Sequence, residues 1–315
     1  MRAVVIEAGA VVIKERPDPV PGTGELLVTV QAAGLNGADL MQRAGLYPAP
    51  PGAPEDIPGL ELAGVVKAVG PGVERFVVGD RVMAVLGGGA QAELAIVHER
   101  VALPVPESLS MVEAGGFPEA FTVAHDALFT QCNLAPGEQI LVNGAAGGVG
   151  VAGVQLATVA GARVVASVRA SHLRGALAGL GAIAIDPADT AAHGPYDVIL
   201  ELVGAPNLRT DLESLALGGR LTIIGIGIGA GARSEIDLRQ LMSRRARIHS
   251  STLRARPLEE KAVAARLVER QVLPLVAAQR LRVPIEEVFG LTEVDAAYAR
   301  FAAGAKLGKI VLAIG

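Results

Sequence analysis

The residues best suited to chemistry are the eight at positions 143–150, Asn-Gly-Ala-Ala-Gly-Gly-Val-Gly. They follow a short apolar run at 139–142 and precede a segment without charge at 151–157. This order predicts a strand, a glycine-rich turn and the start of a helix. Such a turn lets the backbone wrap a pyrophosphate and point helix N–H groups at it, so we expect a dinucleotide-binding site.

Two registers fit the dinucleotide pattern G-x-G-x-x-G. Gly148, Gly150 and Gly153 fit it literally, whereas Ala145, Gly147 and Gly150 fit it with alanine first and lie closer to the strand end. The tight turn has to start where the strand stops, which favours the second register. A glycine loop that only packs a helix on a sheet is the structural alternative. The cofactor-binding residues predicted in the loop are Ala145, Ala146, Gly147, Gly148, Val149 and Gly150.

The residues after the next strand-like run decide which dinucleotide is expected. An acid there hydrogen-bonds the ribose 2′-hydroxyl of NAD, but residues 169–174 read Arg-Ala-Ser-His-Leu-Arg. Arg169 and Arg174 can pair a 2′-phosphate through their guanidinium groups, with Ser171 as a further donor. We therefore predict NADPH as the cofactor. The alternative is that both arginines are solvated residues at a helix start.

The bulk composition excludes several classes of protein. The 315 residues are 51% hydrophobic and 19% charged with a net charge of −4, and no basic patch indicates nucleic acid or an anionic membrane. The charge-free stretch 139–162 carries Asn143, Gln155 and several glycines, which favours a buried strand and helix over a membrane span. Cys132 is the sole cysteine, so an internal disulfide is excluded and a cytoplasmic location is expected.

The spacing of apolar runs predicts how the chain is organised. Up to about residue 115, short β-like runs alternate with Pro/Gly turns. Six strand-like runs then alternate with helix-length segments, at 140–142, 163–168, 182–185, 198–202, 220–224 and 247–250. This rhythm predicts an α/β protein with a doubly wound parallel sheet. We expect the nucleotide domain at 116–276, inserted between two pieces of a β-rich domain at 1–115 and 277–315.

Further motifs occur in one order along nearly the whole chain. They are Ala-Gly-Leu-Asn-Gly-Ala-Asp-Leu at 33–40, Gly-Leu-Glu-Leu-Ala-Gly at 59–64, Val-Gly-Pro-Gly-Val at 69–73, Gly-Asp-Arg-Val at 79–82, Gly-Gly-Arg at 218–220 and Leu-Gly-Lys-Ile-Val at 307–311. Together with the glycine loop, they resemble the zinc-independent quinone oxidoreductases of the medium-chain dehydrogenase/reductase superfamily. Residues 36–52 are most similar to the tumour-suppressor-inducible branch, a cousin of zeta-crystallin. The resemblance implies a GroES-like catalytic domain, split in sequence around a Rossmann domain.

The departures from zinc-dependent relatives also bear on the chemistry. Those relatives have a Cys where Asn36 stands and a His where Leu60 stands, and a catalytic Zn²⁺ normally needs three protein ligands. We therefore predict no metal site. Without one, the expected substrate already attracts hydride, as a quinone or a conjugated enone does.

The resemblance also implies roles for single residues. Asn36 and Tyr47 are expected beside the nicotinamide as the catalytic pair, although Asn36 also suits a structural turn and Tyr47 a surface position. Tyr47 would bond the substrate oxygen as charge develops there. The remaining predicted cofactor contacts are Thr122, the strand-end residues Val203, Gly225 and Ile226, and Lys309. A helix cap is the alternative for Thr122, and an ordinary surface lysine is the alternative for Lys309.

The expected activity is NADPH-dependent reduction of a quinone-type acceptor by hydride transfer. Reduction of α,β-unsaturated ketones or thioesters remains open, as does a crystallin-like binding protein with little catalysis. The expected partners are a small-molecule substrate and, by analogy with relatives, a second copy of the chain paired along about 247–252. No nucleic acid or membrane partner is predicted.

Overall fold

The computed structural model describes residues 1–227 and 231–315, which form two units. The β-rich unit comprises Met1–Thr122, Leu253–Gly304 and Lys309–Gly315, and the parallel-sheet unit comprises Val123–Thr252 and Ala305–Gly308. The strands are β1 (Arg2–Glu7), β2 (Ala10–Glu15), β3 (Glu25–Gly34), β4 (Glu61–Val69), β5 (Arg81–Val85), β6 (Leu94–His98), β7 (Ala102–Pro104), β8 (Gln139–Asn143), β9 (Arg163–Ser167), β10 (Ile183–Ile185), β11 (Tyr196–Glu201), β12 (Leu215–Ile223), β13 (Arg247–Ser250), β14 (Ile285–Gly290) and β15 (Lys309–Ala313).

The helices connect and cover these strands. They are α1 (Gly37–Arg43), α2 (Met111–Gly115), α3 (Pro118–His125), α4 (Gly148–Val159), α5 (Arg174–Ala178), α6 (Leu208–Ser214), α7 (Leu238–Arg244), α8 (Leu258–Gln271), α9 (Leu273–Ala277) and α10 (Val294–Ala302). A π-helical segment, Asp126–Gln131, continues α3. Short 3₁₀ turns lie at Ser171–Leu173, Pro187–His193, Ala205–Asn207 and Leu291–Glu293. No helix within the described ranges is both long and apolar enough to cross a membrane.

The β-rich unit is built on a seven-stranded sheet in which β3 is the longest strand. The order is β14-β15-β3-β4-β5-β7, with β6 also paired to β3, and only the β14–β15 pair is parallel. Leu26, Val28 and Val30 alternate along β3 and are essentially fully buried, as the two-residue period of a strand requires. The sheet places the end of β3, the start of β4 and the start of β15 side by side.

The parallel-sheet unit has the doubly wound order predicted from the sequence. Its sheet runs β10-β9-β8-β11-β12-β13 with every pair parallel, so the chain order of its strands is 3-2-1-4-5-6, as in a Rossmann fold. All six predicted strands are present. Strand β12 begins at Leu215, five residues before its prediction, because Leu215 is buried and pairs with Tyr196. The order reverses between β8 and β11, where a dinucleotide binds in such folds.

The division of the chain differs from the predicted domain limits at both boundaries, and residues 116–122 belong to the β-rich unit. Residues 253–276 belong to the β-rich unit, not to the nucleotide unit. The reason is side-chain bonding that the sequence does not show: Arg254 donates to the Gly87 carbonyl and Arg266 to the Ala102 carbonyl. Conversely, residues 305–308 join the parallel-sheet unit, where the Gly308 N–H donates to the Ala146 carbonyl at 2.8 Å.

Candidate cofactor and active site

The glycine loop starts directly at the end of the first parallel strand. Strand β8 ends at Asn143, Gly144 turns the chain with φ +71°, and Gly147 is the N-cap of α4. The left-handed turn residue is therefore Gly144, which precedes the predicted Ala145. Helix α4 begins at Gly148, so its first N–H groups, which have no partner inside the helix, face the loop. This is the geometry that binds a pyrophosphate.

The close approach of helix and strand identifies which glycine is required for packing. A Cβ on Gly150 would lie 2.5 Å from the Gly144 carbonyl oxygen and 2.7 Å from the backbone of Ala145. A Cβ on Gly153 would meet only a methyl group of Leu200, at 2.7 Å, and one on Gly147 would come no closer than 3.6 Å to its nearest neighbour. Gly150 is thus the packing glycine, as the Ala145 register requires.

A buried polar cluster fixes the loop from below. Asn143 donates from Nδ2 to Glu201 at 2.7 Å and to Asp211 at 2.8 Å, and all three residues are buried. Glu201 also accepts the N–H groups of Val203 and Gly204. Burial, and then the Glu201 charge, raise the pKa of Asp211 well above its usual range, so this carboxyl is protonated at neutral pH. The cluster ties the end of β8 to the turn after β11.

The cluster was missed in reading the sequence. Its only signal is a polar residue directly after each apolar run, Asn143 after 140–142 and Glu201 after 198–200.

The predicted 2′-phosphate ligands differ in whether they already have a partner. Arg169 is exposed and has no ion-pair or hydrogen-bond partner among the described residues, and Ser171 is exposed at the start of a 3₁₀ turn. Arg174, in contrast, forms an ion pair with Asp186 through Nη2 and Oδ2. A 2′-phosphate would therefore compete with Asp186 for Arg174, and the role of Arg174 as a phosphate ligand stays a prediction.

The predicted strand-end contacts lie together after β11 and β12. The Gly227 N–H donates to the Val203 carbonyl at 2.8 Å, which joins the two turns. A Cβ on Gly225 would lie 2.4 Å from the Leu202 carbonyl oxygen, so only glycine fits there. Ile226 is 46% exposed. This edge lies beyond the carboxyl ends of the strands, where ligands bind in open α/β sheets.

In the β-rich unit, Asn36 belongs to a buried charged network. Its Nδ2 donates to Glu61 at 2.9 Å, and its Oδ1 accepts from the Lys309 ammonium at 2.7 Å. Lys309 also donates to the Leu35 carbonyl and pairs with Glu61; the two residues are 3% and 0% exposed. Lys309 is therefore not a cofactor-phosphate ligand as predicted, because three acceptors within the β-rich unit already bind its ammonium.

The backbone beside Asn36 is fixed by a second acid. Asp39 accepts the N–H groups of Asn36 at 2.8 Å and Gly59 at 3.1 Å, and its side chain is fully buried. Burial raises the pKa of Asp39 to about 6, so it is mostly ionised at neutral pH. The Asn36 amide is thus held in one orientation at the start of α1.

Tyr47 is half-buried, and its position depends on Arg254, a residue that was not singled out from the sequence. The Arg254 guanidinium lies 4.9 Å from the centre of the Tyr47 ring and donates to the Tyr47 carbonyl at 3.0 Å. It also donates to Gln42 at 2.6 Å and to the Gly87 carbonyl at 2.7 Å, and it is 3% exposed. Arg254 therefore holds the loop that carries Tyr47.

Helix α3 contributes two more polar residues to the β-rich unit. Thr122 is buried near its end, and Glu119 lies one turn earlier on the same face. The Glu119 N–H donates to Glu61 Oε2 at 2.9 Å. Burial first, and then the Glu61 charge, raise the pKa of Glu119 to about 8. Glu61 therefore links Glu119 to the network around Asn36.

The known proteins that this chain resembles share both halves of it. Residues 22–107 match the alcohol dehydrogenase GroES-like domain family, and residues 180–312 match the zinc-binding dehydrogenase family. Within the described residues, no group of three or more His, Cys, Asp or Glu side chains is placed to hold a metal ion. Over 242 residues the chain is 34% identical to a quinone oxidoreductase of Rattus norvegicus, covering 71% of this chain and 73% of the relative.

Solved structures extend the similarity to the full length. An alcohol dehydrogenase superfamily protein from Novosphingobium aromaticivorans has a TM-score of 0.88 at 29% identity, covering all of both chains. A mycobacterial protein complexed with NADPH has a TM-score of 0.87 at 27% identity, covering 99% of this chain and all of the other.

Proposed function

The chain belongs to the quinone oxidoreductases of the medium-chain dehydrogenase/reductase superfamily, and from this premise we propose that it reduces a quinone-type acceptor with NADPH. The observation that carries the proposal is the glycine loop at the reversal of strand order, followed by an exposed Arg169 where NAD-binding chains have an acid. When bound, NADPH supplies a hydride; the protein supplies position and electrostatics.

The loop residues fit the dinucleotide. Gly147 leaves room for a pyrophosphate above the N-terminus of α4, and Gly150 lets the helix approach the turn. Val203, Gly225 and Ile226 would line the nicotinamide half of the site. Arg169, with Ser171 beside it, would bind the 2′-phosphate of NADPH.

Cofactor selectivity tests this assignment by equilibrium binding of NADPH and NADH to the unliganded protein. We expect NADPH to bind more tightly than NADH. In Arg169→Ala the ratio of the two dissociation constants should shrink by about 10- to 100-fold, the contribution of one charge-assisted hydrogen bond. Arg163→Ala is the matched control, because Arg163 is also exposed but begins the same strand that Arg169 follows. Equal affinities for the two cofactors in the unmutated protein would refute the phosphate site.

Asn36 and Tyr47 are proposed as the substrate-side pair. Asn36 has both polar atoms of its amide committed to Glu61 and Lys309, so it would act by shaping the site. The Tyr47 hydroxyl would donate to the acceptor oxygen as negative charge develops, a contribution of about 10²-fold or more in kcat. Tyr47→Phe keeps the ring beneath Arg254 and the backbone acceptor, so it removes the hydroxyl alone.

A substrate panel separates the proposed activity from its two rivals. Steady-state rates with 1,2- and 1,4-quinones are compared with those for enones and enoyl thioesters. Fast enone reduction with negligible quinone turnover would replace the proposal by an enoyl reductase. Absence of NADPH oxidation with every acceptor, despite tight NADPH binding, would favour the crystallin-like binding role.

We also propose a homodimer paired through strand β13. This strand is an edge of the parallel sheet, and an unpaired edge is a site for pairing with a second chain. Apolar residues are exposed on neighbouring elements, Leu217 on β12 and Leu238 and Met242 on α7. Sedimentation equilibrium tests this: a dimer is expected, and Ile248→Pro, which removes a backbone donor in β13, should yield monomers. A monomeric unmutated protein would contradict the proposal.

A further inference from the structure

Two glutamates of the β-rich unit, Glu61 and Glu119, are joined through the Glu119 backbone N–H, and their carboxyl groups differ in their partners. Glu61 Oε1 receives Asn36 Nδ2 and pairs with the Lys309 ammonium, and Glu61 Oε2 receives the Glu119 N–H at 2.9 Å. The Glu119 side-chain oxygen Oε2 is buried and has no hydrogen-bond partner among the described residues. In each of these bonds a Glu61 oxygen is the acceptor, so its carboxylate has a donor on both oxygens.

The charges around Glu119 come from five elements. Acids face it from β4 (Glu61) and α1 (Asp39), and cations face it from β15 (Lys309), from the segment after β13 (Arg254) and from α8 (Lys261). Burial and Glu61 dominate, and the pKa of Glu119 rises to about 8. At neutral pH Glu119 is therefore largely protonated, and its buried Oε2 has no hydrogen-bond partner among the described residues.

Glu119 belongs to the same hydrogen-bond network as Asn36, one of the proposed substrate-side residues. Glu61 is a shared partner of Glu119 and Asn36, and Thr122 follows Glu119 by one helical turn on the same face. An acid with a pKa near the working pH is the best general acid, because it is protonated and still gives up its proton readily.

We propose that Glu119 holds, on its unpartnered oxygen, the proton that the reduction consumes. The inference rests on the proposed function. After the acceptor has gained a hydride it carries one negative charge, on oxygen in a quinone-derived product. The O–H bond of Glu119 breaks, the O–H bond of the hydroquinone forms, and Glu119 is left as a carboxylate. Water then returns a proton to Glu119, so charge and atoms balance.

The first test needs neither cofactor nor substrate. The unliganded protein is labelled with ¹³C at glutamate carboxyls, and the NMR signals are followed with pH. We expect one glutamate to titrate near pH 8 and its signal to be missing in Glu119→Gln, which replaces the neutral acid by a group of the same shape. Glu107→Gln, at an exposed position, is the control and should retain it. A Glu119 signal that titrates near pH 4, the usual range for glutamate, would overturn the proposal.

The second test is the pH profile of turnover with the best acceptor from the panel. For the unmutated protein and Glu107→Gln, kcat should fall tenfold per pH unit above about 8, as the acid is lost. In Glu119→Gln this fall of kcat at high pH should disappear, and kcat should be at least about 10²-fold lower with KM little changed. Glu119→Asp should recover part of the rate. An unchanged profile in Glu119→Gln would refute the donor role. An unmutated protein without any turnover would refute the proposed function instead, while the carboxyl titration would still report on Glu119.

Discussion

Alanine substitutions at Gly150 and Gly153 in α4, and at its N-cap Gly147, test the register of the dinucleotide loop. At Gly150 an added Cβ would lie 2.5–2.7 Å from the backbone of Gly144 and Ala145, and backbone cannot rotate away as a side chain can. Such overpacking costs about 1–3 kcal/mol, against at most about 1 kcal/mol of gained helix propensity. We therefore expect Gly150→Ala to lower the free energy of unfolding by about 1–2 kcal/mol.

The other two substitutions provide internal controls. At Gly153 the added methyl meets only the end of the Leu200 side chain, and a rotamer adjustment of about 1 kcal/mol is offset by the propensity gain. At Gly147 the nearest atom is 3.6 Å away and φ is −71°, so alanine is tolerated. Gly147→Ala should leave stability unchanged but weaken NADPH binding at least about tenfold, because the methyl occupies the space of the pyrophosphate.

The assays are urea unfolding, thermal unfolding and NADPH titration of all three variants. A loss of 1 kcal/mol corresponds to a fall of about 2–4 °C in Tm for a domain of this size. Only Gly150→Ala should show that fall, and only Gly147→Ala should lose affinity without losing stability. If Gly153→Ala proved the most destabilised, or if Gly147→Ala bound NADPH normally, the assigned register would be wrong.

Three further outcomes follow from the buried charges. The folded-state pKa of Asp211 is raised above its unfolded value of about 3.9, so this group lowers the free energy of unfolding increasingly as pH rises from about 4. Asp211→Asn should therefore flatten the stability–pH curve measured by urea unfolding, and should stabilise the protein more at pH 8 than at pH 5. Lys309→Met leaves the Glu61 charge buried and unpaired, so it should lower the free energy of unfolding by about 3–5 kcal/mol. Adding Glu61→Gln should restore much of this stability, and the double variant should keep its NADPH affinity. Arg254→Met should release the Tyr47 loop and reduce kcat, with partial rescue by Arg254→Lys, whereas a purely structural role would lower Tm and leave the activity of the folded fraction unchanged.

Much of the parallel-sheet unit could be predicted because its signals are local. Six apolar runs at regular intervals mark buried parallel strands, and the glycines at 144–150 mark the turn between the first strand and its helix. The sequence does not predict that α8 belongs to the β-rich unit. Its pattern is that of any amphipathic helix, and long-range bonds place it: Arg266 donates to the Ala102 carbonyl across 164 residues of sequence, and Glu259 pairs with Arg100.

The candidate site was less predictable because its contacts are long-range. Lys309 and Asn36 were each singled out from motifs, yet the bond between them joins positions 273 residues apart. A motif identifies a residue and does not say what its side chain touches, so Lys309 was assigned to the wrong partner. Arg254 was missed for the same reason, since its acceptor on Gln42 lies 212 residues away.

The two units contain the same arrangement of acids, and we expect it to serve a different purpose in each. In each, an asparagine amide and backbone N–H donors bind one glutamate: Asn36 binds Glu61 in one unit, and Asn143 binds Glu201 in the other. Burial first, and then the charge of that glutamate, raise the pKa of a second carboxyl and keep it protonated: Glu119 near Glu61, and Asp211 near Glu201.

The two protonated carboxyls differ in what surrounds them. The Asp211 side chain accepts Asn143 Nδ2 at 2.8 Å, within the cluster that ties the end of β8 to the turn after β11. The Glu119 Oε2 has no hydrogen-bond partner among the described residues, although the Glu119 N–H donates to Glu61. Glu61 in turn accepts from Asn36, the proposed substrate-side residue, whereas the Asp211 cluster belongs to the cofactor loop. Of the two acids, Glu119 is therefore the one suited to deliver its proton to a bound acceptor, and Asp211 the one suited to fix the loop.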